Sequence, residues 1–577
     1  MGLTSNRTQS GLNIEVVDVE QHEDQPTVSE TERKANINST KEHFLKVYNN
    51  CKYSLREAKE RETTVIEKII WLLMFTSCFI YCGILIWRSY SKWIKSPAIV
   101  MLTENDEPIR EIPFPAVTVC PERKIMSEVF NFQHYIELSN NKTNVDLSDQ
   151  VQNMYEDVSL ICDYDRIPRN GRNVSVGNET VGNILKASTK LLKVMSLCTW
   201  KGKQRTCNSL FTPILTEEGM CFTFNTIGPE DLFQLENMHT DYEYMKKLNR
   251  TRNQGWTMEN GYPFDAPRKT YPVRGSGAGV KAGLGLKLTE MEKGLDLTCK
   301  RRLSGFKILL HNPSDLPRPS QQYIRVPTFE DVTLSFTASL EFTSDGLEVF
   351  TPIGRRCYFA DERSLKYFKL YTQSNCEYEC LTNFTYARCR CVHFAMPHGP
   401  NMKICNVGSI ECLGKAEMEL STMDIEDEGR GDVTTEEAIR IAEECNCLPA
   451  CTSITYETEV TQTELHENER HEYKVVTGNN SHSGDIKTSK VSNVIIFFKR
   501  PLFDIFKRCE LYGTSDILAS CGGLLGLFMG FSVINIVEIV YLCFLSVYRR
   551  HKSDKCEQSN KENLHLKNRK RKEGRKN

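Results

Sequence analysis

Two apolar runs stand out from an otherwise mixed chain. Residues 69–87 (IIWLLMFTSCFIYCGILIW) form nineteen positions without a charge, enough for a helix to cross ~30 Å of hydrocarbon. Residues 521–548 are apolar apart from glycines, Ser532, Asn535 and Glu538. Between the runs, alternating stretches such as 221–224 (CFTF) and 306–310 (FKILL) predict strands. Ser374-x-x-Glu377 and Thr434-x-x-Glu437 read as capping boxes; Ala438, Ile441, Ala442 and Cys445 follow the second at helical spacing. Residues 1–40 are polar and unpatterned, which predicts disorder, and residues 41–68 read as a charged helical lead-in to the first run. The stretch 275–285 (GSGAGVKAGLG) lacks the G-x-x-x-x-G-K-[ST] of a phosphate loop and reads as a flexible turn between strands. No internal repeat appears.

Composition places this pattern in a compartment. The 577 residues exceed one compact domain, and 73 basic against 75 acidic residues leave no folded basic domain to bind nucleic acid. Only the tail, residues 549–577, is basic, with twelve Lys/Arg against four Asp/Glu. Beside an apolar run this fits the positive-inside rule better than a nuclear or RNA-binding signal. More than sixty residues, mostly polar, precede the first run, so it reads as a signal anchor rather than a cleaved leader. Two spans then put both termini in the cytoplasm and the middle outside the plasma membrane. Sixteen of the 23 cysteines lie between Lys95 and Arg500, an even number in an oxidising setting. Six N-x-S/T sequons accompany them, at Asn141, Asn173, Asn178, Asn249, Asn383 and Asn479.

The expected fold class is therefore an α+β membrane protein, two transmembrane helices flanking a large disulfide-rich extracellular domain. The segments are a cytoplasmic stretch 1–68, a first span 69–94, an extracellular domain 95–512, a second span 513–548 and a basic tail 549–577. The cysteine-dense part runs from Cys357 to Cys451. Its C-x-C and C-x₃-C pairs raise zinc as a rival to disulfides. Cys376 and Cys380 would lie ~6.0 Å apart along a helix, and Cys445 and Cys447 ~6.6 Å apart if extended. Two rungs of nearly equal spacing close without strain, which favours a ladder of bridges.

The second apolar run carries the chemistry. Gly522, Gly526 and Gly530 recur every four residues, with Ala519 and Gly523 beside them. Small residues at this spacing let helices approach closely. Ser532, Asn535 and Glu538 then place polar groups three apart at membrane depth, where they are costly and usually face an ion path. Helix packing with Glu538 snorkelling is the alternative. A pore built on one hairpin needs several subunits.

The sequence from Gly522 to Ser532 (GGLLGLFMGFS), with Glu538 after it, resembles the pore helix of the degenerin/epithelial sodium channel family. Gly530, Phe531 and Ser532 match that family's selectivity filter. Further matches are FPAVTVC ending at Cys120, GMCFTFN from Gly219, GFKILLH from Gly305, RRCYF from Arg355, NCEYEC from Asn375 and CNCLPAC ending at Cys451. Their wording is most similar to the insect pickpocket branch, over roughly residues 65–550. The resemblance implies a homo- or heterotrimer with palm, β-ball, finger, thumb and knuckle, the thumb at about 357–451, and Na⁺ as permeant ion without a cofactor. It implies bridges Cys120–Cys221, Cys198–Cys207, Cys357–Cys451, Cys376–Cys447, Cys380–Cys445, Cys389–Cys412 and Cys391–Cys405. Parity adds Cys162–Cys299, and Cys509 is left without a partner. Gly526 matches the amiloride position, and Ala519 the position where bulk opens the gate.

Departures accompany the matches. Aligned on Trp71, the family's His-Gly pair before the first span is replaced around Ser54, Leu55, Arg56 and Glu57. The Tyr–Trp contact of the acid-sensing branch falls on Ala98 and Gly354, which argues against proton gating of that style. The acidic residues between Asp424 and Glu444 read as a solvated face. Arg166-Ile-Pro-Arg169 and Arg169-Asn-Gly-Arg172 carry the R-x-x-R pattern of furin-like cleavage, or form a plain basic turn. No Ser/His/Asp or metal constellation stands out, so an enzyme is disfavoured and no metal site is expected. The reading is a gated, amiloride-sensitive sodium channel subunit answering a mechanical, osmotic or chemical stimulus, with an extracellular ligand or matrix partner compatible. A non-conducting receptor or adhesion protein on the same scaffold is the alternative; it would not need Gly530 to Ser532 or Glu538.

Overall fold

The computed structural model describes residues 65–95, 98–104, 106–140, 148–162, 179–248, 255–267, 270–291, 296, 298–300, 303–422, 433–466, 471–474 and 487–530. The N-terminal stretch 1–64, the R-x-x-R loop, the sequons other than Asn383, and everything after Gly530 lie outside these residues. Two compact units divide the chain, one holding the residues up to Ile86 and from Gly522, the other running from Trp87 to Cys521.

The first apolar run is a helix, Val65–Lys95, of 31 residues. Within it Leu72–Lys95 is long and apolar enough to cross a membrane, and only 6% of its most apolar window is buried. Its hydroxyls are satisfied inside the helix: Thr76 donates to the Leu73 carbonyl at 3.0 Å and Ser77 to Met74 at 2.8 Å. Hydrocarbon requires that internal closure.

Among the described residues two sheets build the body. The larger has ten strands, and its central strand Glu330–Thr343 runs antiparallel to Ser453–Glu464 and parallel to both Lys487–Phe498 and Leu502–Glu510. The smaller has five, centred on Ala116–Pro121 between Gly219–Phe224 and Phe306–His311. These three strands hold FPAVTVC, GMCFTFN and GFKILLH, the first two buried along their whole length. Phe114 joins the sheets. Its ring meets Trp200, Phe224, Phe336 and Phe498 edge-on, with centroids 4.9, 6.0, 5.3 and 5.6 Å away. Edge-to-face packing of this kind adds roughly 0.5–1.5 kcal/mol per pair beyond area burial.

The Gly-rich stretch turns the chain into the strand Leu284–Met291, and one of its glycines also serves packing. A Cβ on Gly283 would collide with the Ile496 carbonyl oxygen and lie 2.7 Å from the Phe497 Cβ. Only glycine lets the strand Leu284–Met291 pair this tightly with Lys487–Phe498.

Three helices form the cysteine-rich lobe: Gln373–Cys389, Ile410–Thr422 and Val433–Glu444. The first is capped by Thr372, whose hydroxyl accepts from the Asn375 backbone N–H at 3.1 Å; Ser374 already lies inside the helix. Thr434 is likewise helical rather than a cap. The lobe core is small: Phe384 and Ala387 meet Ala416, Ala438 and Ala442. So few apolar atoms stabilise weakly, and covalent staples compensate. The bridges are Cys357–Cys451, Cys376–Cys447, Cys380–Cys445, Cys389–Cys412 and Cys391–Cys405. Both rungs between the helix and residues 445–447 are similar, with Cα atoms 5.7 and 5.8 Å apart. Elsewhere Cys120–Cys221, Cys162–Cys299 and Cys198–Cys207 are joined. Among the described cysteines, Cys78, Cys82, Cys509 and Cys521 are free. Asn383 sits half-buried within the first lobe helix, not on a loop. Glu436, Glu443 and Glu444 are exposed, as a solvated acidic face requires.

Candidate functional site

The second apolar run opens as a helix, Thr514–Met529. Asp516 caps it by accepting from the Gly513 backbone N–H at 3.0 Å. The small residues share one side: Ala519, Gly522, Gly523 and Gly526 are all exposed, and no atom would meet a Cβ on Gly522 or Gly523 within 4 Å. Among the described residues nothing lies against Gly522 or Gly523, so backbone from another helix has room to approach there. Elsewhere on the helix Phe528 meets Tyr81 edge-on, centroids 5.5 Å apart.

The helix stops at Gly530. Its backbone N–H still donates to the Gly526 carbonyl at 3.0 Å, but its φ of +62° is left-handed. A side chain there would be strained, which is why a glycine ends the helix. The break falls on the first of the three residues matched to the filter. Phe531, Ser532, Asn535 and Glu538 lie outside the described residues.

A junction ties the strand Leu502–Glu510, which precedes this helix in the chain, to the cysteine-rich lobe. Strand Ala98–Leu102, which follows the first helix, pairs antiparallel with Leu502–Glu510, which precedes the second; Ala98 faces Glu510 and Ile99 faces Cys509. Arg508 is the hub. Its guanidinium reaches Glu341 at 2.9 and 2.5 Å and donates to the carbonyls of Arg355 and Arg356 at 3.1 and 2.8 Å. Arg355 is itself buried, bonding the Phe350 carbonyl at 2.6 Å, the Cys357 carbonyl at 3.2 Å and the carboxylate of Glu362. Arg356 adopts left-handed φ, 61°, turning the chain into the Cys357–Cys451 bridge. RRCYF thus anchors the base of the lobe, a role that spacing could not disclose because its partner Arg508 is remote in sequence.

An aromatic contact completes the junction. Trp93, on the last turn of the first helix, meets Phe350 edge-on at 5.4 Å. Ala98 and Gly354, the positions matched to the Tyr–Trp contact of the acid-sensing branch, carry no ring. The helix runs on to Lys95, so the ring comes from its final turn and not from the strand after it. Trp87, Tyr90 and Trp93 continue as an aromatic ladder, and Lys92 reaches the Tyr512 hydroxyl at 3.2 Å. Amphipathic rings and snorkelling lysines characterise the water–lipid boundary.

A cavity of about 510 Å³ opens between the lobe and the sheets, lined by His311, Asp315, Arg318, Tyr371, Thr372 and Glu377. Burial pushes the Asp315 carboxyl up to about 6; the Thr372 hydroxyl opposes the rise and Glu377 adds to it.

A disulfide-stapled β body continues at its two ends into an apolar helix and a small-residue helix, the plan expected of a membrane protein with a large extracellular domain. The chain belongs to the amiloride-sensitive sodium channel family, whose model matches residues 51–542. It is similar to Pickpocket protein 28 of Drosophila melanogaster, 26% identical over 559 residues, covering 94% of this chain and 84% of that protein. It is also similar to the sodium channel protein Nach of the same fly, 20% identical over 516 residues, covering 88% of this chain and 87% of that protein. Degenerin-like protein asic-2 of Caenorhabditis elegans is 24% identical over 208 residues, 32% of this chain and 35% of that protein. Membership makes the chain a subunit of a plasma-membrane cation channel that assembles with related subunits.

Proposed function

We propose that this chain lines the pore of a gated, sodium-selective, amiloride-sensitive channel, as a homo- or heterotrimer with both termini in the cytoplasm. One observation carries the reading: the exposed strip of Ala519, Gly522, Gly523 and Gly526 ends in a left-handed Gly530, directly before Phe531 and Ser532. Three such helices can converge closely, and a helix broken at Gly530 frees backbone oxygens to replace the hydration shell of Na⁺. Asn535 and Glu538 would continue the ion path toward the cytoplasm, and Gly526 would leave space for a planar cationic blocker. Movement of the lobe would reach this helix through Arg508 and through Trp93 on Phe350. The stimulus in this reading is mechanical, osmotic or chemical, in a sensory cell.

The test is current from cells expressing the chain, alone and with related subunits, under ion substitution and amiloride. Ser532→Ala should shift the Na⁺/K⁺ reversal potential, and Gly526→Cys should weaken block. A chain that reaches the surface yet conducts under none of the three stimuli in either setting would reject the pore reading.

A further inference from the structure

Two segments far apart in the sequence bring two imidazoles and a carboxylate together outside the junction. His239 caps the short 3-10 helix Thr240–Tyr242, and Asp241 sits inside it. His398 lies on the loop closed by the Cys391–Cys405 bridge and by the pairing of Val392 with Ile404. The His239 backbone N–H donates to the His398 carbonyl at 2.9 Å, locking the segments in register. The rings of His239 and His398 stack with centroids 5.2 Å apart. Asp241 Oδ2 lies 3.0 Å from His239 Nδ1 and 4.0 Å from His398 Nε2. One ligand atom from each of the three residues falls within 4.8 Å of the others.

The buried histidine is set up as a ligand. Its side chain is fully buried, and its Nδ1 lies 2.8 Å from the Met396 carbonyl oxygen. A carbonyl only accepts, so Nδ1 carries the proton and Nε2 presents a lone pair. That Nε2 is buried and has no hydrogen-bond partner. Leaving such an atom unsatisfied is costly, whereas ring N–H to backbone carbonyl with the other nitrogen free is the usual arrangement of a metal-bound histidine. Burial, aided by the neighbouring His239, lowers the His398 pKa and keeps the ring neutral, although the Met396 bond and Asp241 oppose this. Tyr242 packs its ring edge-on against His398 but spends its hydroxyl on the Met396 carbonyl at 2.5 Å, so it does not compete for Nε2.

We propose that His239, Asp241 and His398 form a binding site for a zinc-class divalent transition metal, which clips the 3-10 segment to the disulfide-closed loop. Ligand atoms around tetrahedral zinc lie roughly 3.3–3.5 Å apart, given bonds of about 2.0–2.2 Å. The 3.0 and 4.0 Å separations to Asp241 bracket that value and all three ligand atoms lie within 4.8 Å of one another, so rotation of the partly exposed His239 and Asp241 side chains has to close the site. Zinc would replace the contact His239 Nδ1 now makes with the Asp241 backbone N–H at 3.2 Å. His239 and Asp241 are partly exposed, which gives the metal an entry path and a fourth, water-filled position. Two imidazoles favour zinc, copper or nickel over magnesium and calcium, which prefer oxygen-only sites.

The test uses detergent-solubilised full-length protein stripped with EDTA, so its outcome does not depend on channel current. Titration with ZnCl₂ should raise the Tm in proportion to log concentration above the Kd, while MgCl₂ should not. His239→Ala and Asp241→Asn, both at partly exposed positions, should retain the metal-free Tm within a few degrees and weaken the apparent zinc affinity at least tenfold. His398→Ala should do the same, and the two exposed variants decide the matter if that buried change prevents folding. Absence of a zinc-dependent rise in the wild type, or equal rises in wild type and both exposed variants, would overturn the site.

Discussion

Arg508→Ala tests whether the junction holds the lobe to the strand that leads into the second helix. The substitution removes an ion pair with Glu341 and two hydrogen bonds to carbonyls of Arg355 and Arg356. Breaking a fully buried pair costs about 3–5 kcal/mol. Here the Arg508 side chain is 10% exposed and Glu341 28%, so the stranded carboxylate regains some water. We expect a loss of about 2–3 kcal/mol, most of it from two carbonyls left without a charged donor. Arg508→Lys keeps the charge but not the fork, and should recover less than half of that. The measurement is thermal unfolding of the solubilised protein, combined in a double-mutant cycle with Glu341→Ala, where coupling should be at least about 1 kcal/mol. In cells, both variants should slow or blunt stimulus-evoked current more than they alter ion selectivity, since the proposed filter residues Gly530 to Ser532 are untouched. An unchanged Tm in Arg508→Ala, or additive losses in the cycle, would refute the hub.

Three further outcomes are expected. Ala519→Val should produce a large standing current at equal surface level. Overpacking costs roughly 1–3 kcal/mol where helices crowd, and three subunits multiply the bias toward opening; equal resting currents in a conducting wild type would remove Ala519 from the gate. Gly283→Ala should destabilise the body by about 2–3 kcal/mol, because a backbone carbonyl, not a side-chain tip, must yield; normal surface maturation with unchanged Tm would contradict it. Asp315, raised to about 6 from an ordinary 3.8, is favoured in its neutral form by the fold. Its contribution is therefore fully present below pH about 4 and lost as pH rises through about 6, so Asp315→Asn should flatten the Tm profile over that window and gain about 1–2 kcal/mol at neutral pH; parallel profiles for the two proteins would show that Asp315 titrates normally.

What the chain determined locally was its ends and its staples. Nineteen uncharged positions suffice for a spanning helix whatever else the protein does, because the hydrocarbon thickness sets the length. Four glycines and an alanine at small-residue spacing likewise define a bare helix face before any fold exists. The stop at Gly530 belongs to neither group; the glycine permitted it, but a continuous helix from 521 onward read just as well. The fold decided whatever depends on remote partners. Thr372 outcompetes Ser374 as cap because the chain enters the helix two residues earlier than the box pattern implies. Gly283 serves tight pairing only because the Ile496–Phe497 backbone crosses it, and Trp93 meets Phe350 only because the helix persists to Lys95. His239, Asp241 and His398 carry no motif, since nothing in their spacing reveals that a disulfide-closed loop returns to the 3-10 segment. Periodicity reports which faces turn inward; it says nothing of which two inward faces meet, and at Arg508 and His398 that meeting is where the chemistry lies.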